Sequence, residues 1–224
     1  MLTRDKILSA GLEMVDREGP QSLTMRRLAQ RLEVTATAIY HYFEGREDVL
    51  DAIVDHICAA IVAETPQDGD WTQRLGGLLM AFMKHASAHP TASVWAITRY
   101  AHRPPAMRIH EAILAVLLDA GFSTDDAVYI KSAVTRFCVG HLALGAATRG
   151  ESWPDLPASQ FPACNAARLA LKKSDPAEQF RTGLDALLAG LAASQTCLNP
   201  EAGPRPPARA GRTRAGRPAG QPDR

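Results

Sequence analysis

The stretch Thr24-Met25-Arg26-Arg27-Leu28-Ala29-Gln30-Arg31-Leu32-Glu33-Val34-Thr35-Ala36-Thr37-Ala38-Ile39-Tyr40-His41-Tyr42-Phe43 constrains the fold more than any other. It holds two short helical patterns joined by a turn at Glu33-Val34. Thr24 offers the first helix a hydroxyl N-cap and Thr35 offers one to the second. Leu28, Ala29 and Leu32 form the first apolar stripe at helical spacing, and Ile39 and Phe43 form the second. Thr35, Ala36, Thr37, Tyr40, His41 and Tyr42 are left facing outward. That face is small at its N-terminal end, aromatic further on, and free of acidic side chains. It suits the floor of a DNA major groove, where the first residues of a recognition helix meet base edges.

A surface helical hairpin would share this pattern, so the flanks matter. Ahead lies an amphipathic helix over 4–18, with Ile7, Leu8, Gly11, Leu12 and Val15 on one face, stopped by Gly19-Pro20. Behind lies Glu44-Gly45-Arg46-Glu47-Asp48, then a helix carrying Val49, Leu50, Ile53, Ile57 and Ile61. A three-helix head joined to a long helical body is a specific plan.

This head resembles the tetracycline-repressor (TetR) family of bacterial regulators. The resemblance is carried by Ile7-Leu8-Ser9-Ala10-Gly11-Leu12, Gly19, Leu23-Thr24-Met25-Arg26-Arg27-Leu28-Ala29, Leu32, Val34, Ile39-Tyr40-His41-Tyr42-Phe43, Arg46 and Leu50. It implies that Arg26 reaches a base or phosphate, that Thr35, Thr37, Tyr40, His41 and Tyr42 meet the groove and its walls, and that Arg46 binds phosphate at the start of the fourth helix. With Thr24 and Ala36 these make up the candidate DNA face. Two departures stand out. Glu33 occupies a turn position where the family usually has glycine, a source of strain. Ala36 and Ala38 replace polar side chains, so an operator sequence does not carry over.

Composition adds boundaries. The 224-residue chain has a formal net charge of +1, so DNA affinity must rest on local placement of charge. Cys58, Cys138, Cys164 and Cys197 are widely spaced without a paired motif, as for small buried residues in a reducing cytosol. No secretory segment is evident, and the apolar run 112–118 is too short to span a membrane. The expected protein is soluble and cytoplasmic.

No strand pattern occurs, and the expected class is all-α. Helical patterns are expected over 71–88 after an Asp70 cap, over 92–101 after the His89-Pro90 break, and over 106–120 after Pro104-Pro105. A capping-box start at Ser123-Thr124-Asp125-Asp126 opens a helix to about 148. Residues 150–162 read as a loop. Asp175-Pro176-Ala177-Glu178 opens another helix, with Phe180, Leu184, Leu187, Leu188 and Leu191 along it. Residues 203–224 are arginine, proline, glycine and alanine, too poor in apolar bulk to order themselves.

The later helices resemble the tetracycline-repressor branch of the family, through Ala120-Gly121-Phe122-Ser123, Ala127, Tyr129, Ser132-Ala133-Val134, Phe137, Gly140 and the run Phe180 to Leu191. The resemblance implies a homodimer joined by a four-helix bundle. Small residues at Ala133, Gly140, Gly145, Gly183 and Gly190 permit the close approach this needs. Three units follow: a helix-turn-helix head over 1–46, a ligand-binding and dimerisation body over 47–195, and a disordered tail over 196–224.

The remaining helices should enclose a small-molecule pocket, with candidates Phe82, His85, Trp95, Thr98, Arg99, His102, His110, Ile113, Phe137 and His141. Aromatic walls with a few polar groups are normal for such sites. Set against the tetracycline repressor, the chain keeps Thr98 and Arg99. Trp95 stands at that protein's metal-binding histidine, and Leu78 and Ile113 at its drug-contacting amides. The expected effector is therefore an apolar or aromatic compound, with any acidic group facing Arg99, and not a magnesium–tetracycline chelate. His85 and His89 have metal-ligand spacing but no evident third ligand, and no metal or other cofactor is expected. The expected function is a homodimeric repressor, released from a palindromic double-stranded operator by its effector. The alternatives are an all-helical enzyme, for which no nucleophile elbow or phosphate loop is present, and a regulator that binds DNA without sensing a ligand.

Overall fold

The computed structural model of the protein describes residues 1–100, 103–147 and 153–198. All regular structure among them is helical: α1 (Arg4–Glu18), a 3-10 turn (Pro20–Ser22), α2 (Met25–Arg31), α3 (Ala36–Tyr40), α4 (Arg46–Ala63), α5 (Trp71–Ala88), α6 (Pro90–Tyr100), α7 (Pro104–Asp119), α8 (Thr124–Ala147), α9 (Pro162–Lys173) and α10 (Pro176–Leu198).

The helix starts follow their side chains. Thr3, Thr24 and Thr35 each accept a backbone N–H three residues on. Asp70 and Gln73 complete a reciprocal capping box, and Ser123 with Asp126 form another start. Asp175 accepts the Ala177 N–H at 3.0 Å.

The turn between α2 and α3 closes by two backbone bonds, Glu33 N–H to the Gln30 carbonyl and Val34 N–H to the Ala29 carbonyl. This doubled closure needs a left-handed residue, and Glu33 adopts it at φ 55°. Gly121 does the same at φ 88° between α7 and α8.

Prolines set several boundaries away from their sequence-based positions. α6 opens at Pro90 and α7 at Pro104, not at 92 and 106, because proline fits a first helical turn whose N–H groups are unpartnered in any case. α9 has no counterpart in the sequence reading. Its described side chains are mostly exposed. α10 continues to Leu198, past the expected end near 193 and three residues into the segment assigned to the tail. Residues 199–224 lie outside the described set.

Two cores form. The head core packs Ile7, Leu8, Val15, Leu23, Leu28, Ile39 and Phe43 against Val49, Leu50, Ile53 and Val54 of α4. The body core packs α5, α7, α8 and α10 around Leu75, Leu78, Leu117, Val134, Phe180 and Leu184. Ile57 of α4 and Ile109 of α7 border both. Gly11 lets α1 approach α4, since a Cβ there would lie 3.1 Å from Ile53 Cδ1. α4 thus belongs to head and body together, beyond the expected boundary at 46.

Candidate nucleic-acid interface and ligand cavity

α2 and α3 contain no acidic residue, and their outer faces meet solvent. Thr24, Arg26, Thr35, Thr37, Tyr40 and His41 are exposed, Tyr40 by 53%. Ala36 is half-buried and keeps the start of α3 low-profile. Thr24 and Thr35 accept backbone N–H bonds as caps, which leaves each hydroxyl proton free to donate.

The arginines of the head divide. Arg27 bonds Glu18 at 2.6 Å and the Ser22 carbonyl at 3.2 Å, and Arg31 bonds Glu13. Arg4 reaches the Tyr42 carbonyl at 3.1 Å and lies over the Phe43 ring at 4.2 Å. Arg26 has no such partner among the described residues and points its full charge at solvent. Two of the expected contact residues are engaged internally. Tyr42 donates its hydroxyl to the Leu2 carbonyl at 2.9 Å. Arg46 is half-buried, donating to the Leu23 and Pro20 carbonyls at 2.9 Å each and pairing with Glu47. Both brace the head, because the loop ends beside them leave carbonyls that need donors.

The body holds a cavity of about 110 Å³ that is partly open to solvent. Val54, Ile57, Cys58 and Ile61 of α4 form one wall, and Leu78, Leu79, Phe82 and Ala86 of α5 another. Ser93, Ala96 and Ile97 come from α6, Ala106, Ile109, His110 and Ile113 from α7, and Thr135, Cys138 and Val139 from α8. Among the described residues, no Lys, Arg, Asp or Glu lines it. Burial pushes the Cys58 thiol up to about 11 and the Cys138 thiol up to about 12, so both stay neutral at pH 7. Neutral buried thiols are inert apolar wall rather than nucleophiles.

Of the ten expected pocket residues, Phe82, His110 and Ile113 line the cavity. His85 instead meets Glu64 at 3.0 Å, where Lys84 and His85 together hold the Glu64 carboxyl below its usual range. Trp95 packs toward the head core. Thr98 is exposed and turns its hydroxyl onto the Val94 carbonyl at 2.9 Å. Phe137 stacks on Phe180 at 5.3 Å, and His141 meets the same ring edge-on at 5.2 Å, so both serve the contact of α8 with α10. The Arg99 side chain and His102 lie outside the described residues. The α4 wall and Ser93 were missed as pocket residues. Ile57 and Ile61 were legible as an apolar face, but nothing in spacing says that such a face lines a void rather than a core.

Cavity and head are physically joined. Asp16 of α1 accepts the Thr91 and Ala92 N–H groups at the start of α6, at 3.1 and 3.3 Å. Arg103 and Arg108 of the α7 region bond Asp51 and Asp55 of α4 at 2.7 Å each.

α8 keeps apolar surface on its outer side. Tyr129 is 74% exposed and Leu144 67%. A Cβ at Gly140, Gly145 or Gly190 would meet nothing within 4 Å. Gly183 differs: a Cβ there would strike the Phe137 ring at 2.7 Å, so this glycine serves packing within one subunit.

Comparison with known proteins accounts for both parts. The family described as bacterial regulatory proteins, tetR family, matches residues 7–53, and the tetracyclin repressor-like C-terminal domain matches residues 64–195. An HTH-type transcriptional regulator of Saccharopolyspora erythraea is 30% identical over 203 residues, spanning 87% of this chain and 86% of the relative. The tetracycline repressor protein class C of Escherichia coli is 33% identical over 200 residues, spanning 85% and 90%. ActR of Streptomyces coelicolor, solved in complex with actinorhodin, is 25% identical with a TM-score of 0.65, covering 87% of this chain and 98% of that one. With head and body both matched, the chain belongs to the TetR family of DNA-binding transcriptional regulators, which are not enzymes.

Proposed function

We propose that the protein is a homodimeric repressor that binds a palindromic operator and is released by a small apolar or aromatic effector. The observation that carries this is the course of α4. It leaves the head, whose α2 and α3 carry no acidic residue, and runs directly into the wall of an apolar cavity. Thr24, Arg26, Thr35, Thr37, Tyr40 and His41 form the DNA face, with Tyr42 and Arg46 as its braces. The exposed Tyr129 and Leu144 of α8 and the open glycines of α8 and α10 favour pairing with a second copy as a four-helix bundle.

An effector entering the cavity presses on Ile57 and Ile61 of α4 and on Ala96 and Ile97 of α6. The resulting shift of α4 and α1 changes the separation of the two recognition helices. Such coupling is reciprocal, so operator binding weakens effector binding by the same factor. The described lining is predominantly apolar, which favours an apolar or aromatic effector. A complex of ActR with actinorhodin supports ligand sensing by this architecture. The contact residues of tetracycline recognition do not carry over, because Leu78 and Ile113 present hydrocarbon to the cavity.

The test is footprinting and gel-shift titration on DNA flanking the gene, with sedimentation of the free protein. We expect a dimer protecting an inverted repeat whose half-sites lie one helical turn apart, roughly 34 Å, or a multiple of it. A monomer in solution, or no protected repeat, would overturn the reading.

A further inference from the structure

We infer that residues 1–6 form a further arm of the DNA interface, in which Lys6 binds a backbone phosphate beside the far end of the recognition helix. This deepens the DNA-binding reading given above and rests on it. α1 has a body end and a free end. Its last turn meets the body, where Asp16 accepts the Thr91 and Ala92 N–H groups of α6. Its first turn lies away from the body, against the residues that follow α3. The Tyr42 hydroxyl donates to the Leu2 carbonyl at 2.9 Å, and Arg4 Nη1 donates to the Tyr42 carbonyl at 3.1 Å. Lys6 Nζ donates to the Met1 carbonyl at 3.2 Å, which draws the ammonium back beside Leu2. These three bonds gather Met1, Leu2, Arg4, Lys6 and Tyr42 into one cluster, next to the exposed Tyr40 and His41.

A recognition helix meets base edges with its first residues, so its far end lies at the groove wall, where the phosphates are. Most protein–DNA hydrogen bonds go to phosphate and sugar. With a formal net charge of only +1, the free cations decide where such contacts fall. In the head, Arg27, Arg31 and Arg46 are ion-paired. Arg4 covers the Phe43 ring at 4.2 Å. Arg17 is exposed, but it stands beside Asp16 at the body end of α1. Lys6 is exposed at the free end and has no carboxylate partner among the described residues. An ammonium has three donors, so the Met1 bond orients the group and leaves two for a phosphate. Asp5 is exposed in the same turn, and Arg4 and Lys6 outweigh it. Tyr42 is a positioning residue here, since its hydroxyl proton is committed to Leu2 and fixes the arm.

The test is the salt dependence of binding. Operator and unrelated DNA of equal length are titrated against the full-length protein by fluorescence anisotropy at several salt concentrations. In Lys6→Gln both affinities should fall. The slope of log affinity against log salt should become shallower by about 0.9 per arm, or about 1.8 for two arms. Lys6→Arg should keep the parent's slope. So should Arg17→Gln, a charge removed roughly 17 Å away along α1. Tyr42→Phe, which frees the arm, should flatten the slope as well, and combined with Lys6→Gln it should cost nothing more. The inference is overturned if Lys6→Gln keeps the parent's slope, if it weakens operator binding alone, or if Arg17→Gln flattens the slope as much. A loss in Tyr42→Phe that adds in full to that of Lys6→Gln would make Tyr42 a contact in its own right and overturn its positioning role. Arg26→Ala separates the arm from the helix-turn-helix. If Arg26→Ala weakens operator binding and Lys6→Gln does not, the arm alone falls. If the parent protein binds no DNA, both fall.

Discussion

Replacing Asp16 tests whether cavity and head are coupled through the start of α6. The first N–H groups of a helix have no intrahelical acceptor. α6 cannot provide its own cap, since it begins at Pro90 directly after His89. Asp16 reaches across from α1 and accepts from Thr91 at 3.1 Å and Ala92 at 3.3 Å, with His89 Nδ1 at 3.5 Å from its other oxygen. Its side chain is 20% exposed, so the charge is only partly screened. Loss of an N-cap acceptor costs about 1 kcal/mol. Thr91 is exposed, and water can replace the lost acceptor there. Ala92 is 1% exposed, and its N–H would be stranded, which adds roughly 1 kcal/mol. Asp16→Ala should therefore destabilise the protein by about 2 kcal/mol, or roughly 4–8 °C in the unfolding midpoint for a chain of this size. Asp16→Asn keeps an acceptor and should lose about half as much. Thermal unfolding by circular dichroism reads this out. Gel shifts with and without effector read the second consequence: in Asp16→Ala the effector should still bind, yet shift operator affinity less than in the parent. An unchanged midpoint in Asp16→Ala would refute the capping argument. Undiminished effector release would refute the link.

Arg26→Ala and Tyr40→Ala should each weaken operator binding by about 1–3 kcal/mol in gel-shift titrations while leaving the helical spectrum intact, since both side chains face solvent. Glu33→Gly should raise thermal stability by about 0.5–1 kcal/mol, because relief of the left-handed backbone outweighs the added freedom of the unfolded chain. Iodoacetamide at pH 8 should label half-buried Cys164 in the folded protein ahead of Cys58 and Cys138, whose raised pKa values keep them protonated; mass spectrometry of the peptides gives the order. Those same shifts mean that the folded state holds protons the unfolded chain gives up above pH 9, so stability should fall as pH rises from there toward 11. Magnesium with tetracycline at micromolar concentration should leave the operator complex intact in a gel shift.

The head was legible because its signals are local. Caps at Thr24 and Thr35, the stop at Gly19-Pro20 and the spacing of Leu28, Leu32, Ile39 and Phe43 each act within a few residues, and all agree. Even the strain at Glu33 was visible, since a turn between two helices this short leaves its middle residue little choice of backbone. The prolines were harder. Pro90 and Pro104 read as breaks, and they do end the preceding pattern, but each also opens the next helix. The pocket was the least legible part. Trp95, Thr98, Phe137 and His141 are the polar and aromatic residues that a sequence brings to notice, yet helix rotation places them on the head, in solvent and between α8 and α10. A void is lined by whatever remains after helices have packed. Here the remainder is mostly aliphatic side chains that look like any core, with Phe82, Ser93, His110, Thr135 and two cysteines among them.

That residue of aliphatic surface is also what the proposed switch acts through. Packed interiors respond to an inserted molecule by rearranging rather than compressing. In this chain the elements free to rearrange are those already fastened to the head. α4 contributes its first half to the head core and its second half to the cavity wall, with Ile57 at the border of both cores. α6 starts on Asp16 of α1 and, one residue past the capped N–H of Ala92, contributes Ser93 to the cavity wall. The opposite wall, α5 and α8, is anchored instead by Leu75, Leu78, Val134 and Phe180 in the body core. A ligand between these walls meets one side held by the body and one side held by the DNA-reading head. Its binding free energy is therefore spent across the joint between them, which is where a change of operator affinity has to begin.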